Sequence, residues 1–160
     1  WAAPENLGCE VNSAADEAGP VLVFAEPGPP ALYFSSSRPG GIGGIDLYRS
    51  AKAGGWSFAA PELVPGVNSS ADDQQPYVRH DGREIVFASN RSGSQGFDIW
   101  SADRDSIAKP WSAAANLGPN VNSDGNETRP SLSWDGTTLL FGTTKAGVEG
   151  QSDLFYSTRE

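Results

Sequence analysis

"VNSSADDQQP", residues 67–76, is one of three versions of the same phrase. The others are "VNSAADEAGP" at 11–20 and "VNSDGNETRP" at 121–130, each running nine positions from valine to proline. A phrase written three times signals a repeat architecture, so its period bears on the fold before any local propensity does. Trp1, Trp56 and Trp111 set that period at 55 residues. Each Val-Asn-Ser (VNS) phrase is preceded by a Trp-led segment, "WAAPENLG", "WSFAAPELVPG" or "WSAAANLG". It is followed by an apolar run, "ALYFSSSR", "EIVFASNR" or "LLFGTTK", then a glycine-rich loop, then "DLYRS", "DIWSAD" or "DLFYS".

Four β segments per unit follow. The proline-led segment is the first, and in the second and third copies it ends at Asp81-Gly82 and Asp135-Gly136, a strong hairpin signal. The first copy carries "AEPGPP" there instead, which predicts a longer, stiffer hairpin. The apolar run is the second strand, the Asp-apolar-aromatic element the third, and the tryptophan of the next repeat rides on the fourth. Small four-stranded antiparallel sheets at this period are predicted to stack as the blades of a β-propeller, each burying its faces only against its neighbours. The whole chain, 1–160, is read as a single all-β propeller segment with repeats at 1–55, 56–110 and 111–160. Residues 1–8 then serve as the outermost strand of another blade. Three blades are expected to be half of a ring of about six, completed by a twofold-related second copy or by sequence not present here.

Composition agrees with short strands and tight turns: Gly 19, Pro 12 and no Met in 160 residues, without an apolar stripe at helical spacing. A formal charge of −9 excludes a nucleic-acid role, because phosphate-backbone binding needs a basic surface. Cys9 is alone, so no disulfide framework exists. No apolar run is long enough to cross a bilayer and no signal-peptide core is visible. A chain opening on Trp1 is expected to be processed or part of something longer.

The ordered series "NLGxxVNSxxDExxP", "DGxxLxFxSxRxG", "GxxDIWxSxR" and a Trp-led strand resembles the TolB-like, WD40-like propeller repeat called PD40. The resemblance covers essentially the whole chain and is best from Trp56 to Arg104. The first copy departs at its hairpin, and the third has Lys145 for Arg and Asn126 for the first acid of the pair. It implies a bacterial, exported setting, periplasmic or extracellular, and a role in binding proteins.

In such a ring the VNS loop and the loop between the second and third strands share one rim. Asn12, Asn68 and Asn122, with the following serines and prolines, are expected to turn the backbone and start strands. The rim carboxylates are Asp16, Glu17, Asp72, Asp73 and Glu127, and the rim cations Arg38, Arg91 and Lys145. Within each blade these are expected to pair with one another or with Asp46, Asp98 and Asp153, which open the third strands. The functional reading is a ring of alternating charge that meets a basic protein or peptide. No cofactor is called for, and a cation such as calcium in the channel is the alternative use of the acids. Trp1, Trp56 and Trp111 are expected to pack between blades. Trp134, beside a hairpin turn, is a candidate for stacking on a sugar. The glycine-rich loops precede strands rather than helices, so they are not phosphate cradles. The only histidine, His80, lies on the opposite rim and has no second histidine to complete a common metal site. The sequence therefore points to a non-catalytic protein-binding propeller module. The rival readings are a carbohydrate-active hydrolase or lyase, for which paired carboxylates would suffice, and a glycan-binding propeller.

Overall fold

The computed structural model describes residues 1–25, 28–147 and 149–160. Its strands are β1 (Glu17–Val23), β2 (Ala31–Ser36), β3 (Asp46–Gly54), β4 (Ser57–Phe58), β5 (Glu62–Leu63), β6 (Asp73–Val78), β7 (Glu84–Ser89), β8 (Asp98–Asp103), β9 (Ala115–Asn116), β10 (Glu127–Leu132), β11 (Thr138–Thr143) and β12 (Asp153–Thr158). They form three antiparallel sheets in chain order. The first runs β1-β2-β3-β4 with β5 also on β3; the second runs β6-β7-β8-β9; the third is β10-β11-β12.

Side-chain alternation along the central strands explains why the sheets stack. Ile85 and Phe87 of β7 pack into a core with Tyr33 and Leu47 of the first sheet and with Val64 and Val67, which follow β5. Val86 and Ala88, pointing the other way, pack with Leu132, Leu139 and Phe141 of the third sheet. A third cluster joins Val11, Leu32, Phe34, Tyr48 and Phe58 on the far side of the first sheet. Every residue of β2 and of β7 is buried. The outward face of β11 is not: Leu140 there is 48 % exposed, whereas Val86 at the matching position is 1 % exposed.

The phrase that opens each sheet has a backbone reason for its length. The residue before each proline, Gly19, Gln75 or Arg129, has a left-handed backbone, with φ of 61°, 54° and 54°. The ladder slips at each of these points, between Ala18 and Val21, Gln74 and Tyr77, and Thr128 and Ser131. Proline removes no ladder bond inside such a bulge. Successive bulges touch: the Arg129 N–H donates to Gln75 Oε1 at 2.9 Å. At the other end of the strands, Gly82 and Gly136 close the Asp-Gly turns with bonds to Arg79 and Ser133. The "AEPGPP" turn includes Glu26 and Pro27, which lie outside the described residues.

Two features differ from the expectation. The fourth position is occupied by very short strands, and in the first sheet it is divided between β4 and β5. The tryptophans do not share one environment either. Trp111 is buried between the first and second sheets, but Trp56 and Trp1 are exposed. Gly54 and Gly55, both at positive φ, turn the chain just before Trp56. Its ring then sits over Lys52 Nζ, at 5.1 Å, and not between sheets. Residues 1–8 join no strand.

Candidate functional site

The VNS loops and the loops leaving β2, β7 and β11 meet at one edge of the sheets. In the second unit the Asp73 carboxylate is fully buried. It accepts from the Ser69 N–H and hydroxyl, from the Ser89 hydroxyl and from Arg91 Nη2. Arg91 also donates Nε to Ser89 and Nη2 to the Val67 carbonyl. Its guanidinium lies 5.0 Å from the ring centres of both Phe87 and Trp100. The first unit repeats the arrangement with Glu17, Ser13, Ser36 and Arg38, whose Nη2 reaches Val11 O and Glu17. Burial alone would raise the Glu17 pKa; hydrogen bonds from the Ser13 hydroxyl and amide, from Ser36, and the Arg38 charge outweigh it and hold it below its ordinary 4.5.

The third unit departs. Glu127 is fully buried and accepts from Ser123 N, Ser123 Oγ and Thr143 Oγ1, and no ion pair reaches it among the described residues. Lys145 does not pair with an acid as expected; its Nζ sits 3.8 Å from the centre of the Phe155 ring. A single ammonium lacks the fork with which Arg38 and Arg91 reach a carboxylate, a hydroxyl and a carbonyl together.

The other acids divide by role. Asp72 ties sheet to sheet: its Oδ1 accepts from the Ile45 N–H of the first unit at 3.1 Å. Asn126 does the same for Phe97 N–H at 2.9 Å. Asp46 Oδ2 accepts from Ile42 and Gly43 N–H, Asp98 Oδ2 from Asn116 Nδ2, and Asp153 Oδ2 from Glu149 N–H. Asp46 Oδ1 and Asp98 Oδ1 are buried with no hydrogen-bond partner among the described residues. Asp16 and Asp124 are exposed and have no cationic partner among the described residues. No group of three metal-ligating side chains occurs among the described residues.

Asn68 and Asn122 do more than turn their own loops. Asn68 Oδ1 accepts from Leu47 N–H and its Nδ2 donates to Leu47 O, at 2.7 and 2.9 Å. Asn122 brackets Ile99 in the same way, at 2.8 and 2.9 Å. Such a side chain supplies both halves of a missing ladder pair. Sequence reading placed these residues in turns and missed the clamp, whose partner lies 21 residues before Asn68 and 23 before Asn122, so no fixed spacing marks it.

On the hairpin edge, Glu84 is held by Arg79 and, through two bonds of 2.7 and 2.6 Å, by Arg159 of the third unit. No motif marks this cluster. His80 stacks on the exposed Trp134, ring centres 3.7 Å apart. A cavity of about 410 Å³ lies between the first and second units, walled by Tyr33, Arg104, Ile107 and Trp111. Among the described residues the one carboxylate in its lining is Glu62, which pairs with Arg49 at 3.0 Å.

Against known proteins, no family model and no curated sequence matches the chain. A solved structure of a TolB-like protein from Agrobacterium tumefaciens superposes with a TM-score of 0.59 at 17 % identity, over 87 % of this chain and 45 % of that one. The fold is thus similar to that of a TolB-like protein, and the chain spans less than half of that relative's length.

Proposed function

We propose that this chain is three blades of a TolB-like β-propeller, repeating at 1–55, 56–110 and 111–160, that binds a protein or peptide through its VNS-loop rim without catalysing a reaction. The observation that carries the reading is how the rim's repeated charges are used. Arg38 and Arg91 are consumed inside their own blades by Glu17 and Asp73, which leaves the rim rigid. The carboxylates of Asp16 and Asp124 remain exposed on it. A fixed scaffold presenting unneutralised acids favours a basic segment and steers it electrostatically. The likeness to a TolB-like fold supports an exported bacterial setting.

The test is titration of a fluorescent lysine-rich peptide. Binding should weaken steeply as salt rises, and Asp16→Asn with Asp124→Asn should weaken it further while leaving the melting temperature unchanged. Absence of binding at low salt, or binding indifferent to both substitutions, would refute the reading. Glycan binding on the opposite rim is a second reading, favoured by the exposed face of Trp134 backed by His80. It requires that oligosaccharides quench tryptophan fluorescence in the protein and not in Trp134→Ala.

A further inference from the structure

The two junctions between sheets are built alike at the hairpin edge, and one of them lacks a part. Arg159 directly follows β12 and Arg104 directly follows β8, so they hold the same place in the third and second units. Each donates its Nε to the hairpin glycine of its own unit, Arg159 to Gly136 O at 2.8 Å and Arg104 to Gly82 O at 2.7 Å. The rest of the Arg159 fork goes to Glu84, the first residue of β7 in the preceding unit, through bonds of 2.7 and 2.6 Å. The residue corresponding to Glu84 in the first unit is Ala31, the first of β2.

Alanine supplies no carboxylate. Among the described residues Arg104 Nη1 reaches only the Ile107 carbonyl, at 3.3 Å, and Nη2 only the Tyr33 hydroxyl, at 3.5 Å. Both lie at the long limit for a hydrogen bond. The guanidinium is nonetheless fixed, by Gly82 O and by the Trp111 ring, whose centre is 4.0 Å away. A guanidinium so placed is half of a bidentate pair. Ala31 and Arg104 both line the cavity of about 410 Å³, a volume typical of small-molecule sites. Buried Val23, Val64 and Trp111 give it apolar walls. Of its cations, Arg49 is matched by Glu62, whereas Arg104 and Lys109 form no ion pair among the described residues. The lining is therefore cationic in a chain of net charge −9.

We infer that the cavity between the first and second sheets binds a small organic carboxylate. The ligand's carboxylate takes both Nη atoms of Arg104, as Glu84 takes those of Arg159, and its apolar body lies against Val23, Val64 and Trp111. Exposed Lys109 draws the anion in. A neutral or cationic ligand would leave the fork unmatched and the guanidinium without a counter-charge, which is unfavourable away from water. The site is on the hairpin edge, apart from the VNS rim, so peptide binding neither supports nor removes it.

The test is an NMR titration of the 160-residue chain at neutral pH, following the Trp111 indole N–H. Hydrocinnamate is the probe, and hydrocinnamamide, which keeps the body and loses the charge, is the control. The acid should bind with a dissociation constant below about 1 mM and the amide at least about tenfold more weakly. Ala31→Glu should provide the missing carboxylate from within, so that the acid no longer binds and the melting temperature rises. Arg104→Gln should also abolish binding, with circular dichroism unchanged. No shift up to about 10 mM acid would overturn the inference, as would equal affinity for the amide, or undiminished binding in either folded variant. Glu26, outside the described residues, is examined by Glu26→Gln. Acid that binds this variant and not the parent chain would also overturn the inference, because the fork would then belong to the chain's own carboxylate.

Discussion

Replacing Arg91 by alanine tests whether the rim charges are structural. The substitution removes the only cation that, among the described residues, pairs with the fully buried Asp73, together with the donor to Val67 O and a guanidinium lying on two aromatic rings. Breaking a buried ion pair from one side leaves an uncompensated charge and costs about 3–5 kcal/mol. Domain stabilities lie at about 5–15 kcal/mol, so a large share of the fold's margin would go. Lys145→Ala at the equivalent place removes only a cation over Phe155, worth about 0.5–1 kcal/mol, because Glu127 is satisfied by hydroxyls and an amide. Urea unfolding followed by circular dichroism measures both. The expected order is a large loss for Arg91→Ala and a small one for Lys145→Ala. Asp73→Asn added to Arg91→Ala should shift the midpoint back upward, since the orphaned charge is then gone. Losses below about 1 kcal/mol for Arg91→Ala, or equal losses at the two sites, would refute the argument.

Arg129→Gly should stabilise. The left-handed φ of 54° costs a non-glycine residue about 1–2 kcal/mol, the extra unfolded-state freedom of glycine returns about 0.5–1, and the exposed side chain is expendable. A raised urea midpoint is the expected result. Gly43→Ala should destabilise by about 1–3 kcal/mol, because its Cβ falls on the Ala71 carbonyl oxygen of the neighbouring sheet; an unchanged midpoint would count against that close approach. Glu17 has a folded pKa below its ordinary 4.5, so its contribution is present above about pH 4.5 and lost as pH falls through the lower, folded value. Ser13→Ala removes its hydroxyl donor and should move that acid-side loss toward higher pH. Asp135, which accepts from the Ser133 hydroxyl and from the Thr137 amide and hydroxyl, has its pKa lowered to about 2. NMR titration should find it there, with Ser133→Ala raising it.

The sheets were legible in the sequence because turn chemistry and β alternation recur in one order. The first three strands of the units need only local signals: a proline after a left-handed residue in all three, an Asp-Gly turn in the second and third, and an apolar run that is buried on both faces in the first and second. The fourth position was less legible. Its strands have two residues each, and what holds them is side-chain clamping by Asn68, Asn116 and Asn122, which no period reports. Tryptophan misled for a related reason. The same residue at the same phase is buried as Trp111 and exposed as Trp56, since the glycines before Trp56 change the approach of the chain. Charge pairing was readable as a class and not as a choice. Only the geometry separates Glu17 and Asp73, which bond within their unit, from Asp72, which reaches into the unit before it.

That separation bears on how the rim works. A carboxylate bonded within its own unit keeps one loop in shape, whereas Asp72 and the Asn clamps fix the angle between units. The bonds of Asp72, Asp73 and Asn68, and of Asn126, Glu127 and Asn122, to the preceding sheet converge on residues 45–47 and 97–99. The VNS loops thus pin sheet to sheet at one edge, in front of the apolar cores, while Arg159 on Glu84 joins the second and third sheets at the other. A ligand pulling on exposed Asp16 or Asp124 would load the loops that carry the clamps. The proposed rim binding and the joining of sheet to sheet would thus share one set of loops, and a substitution that loosens the clamps should blunt rim binding even where no ligand touches them.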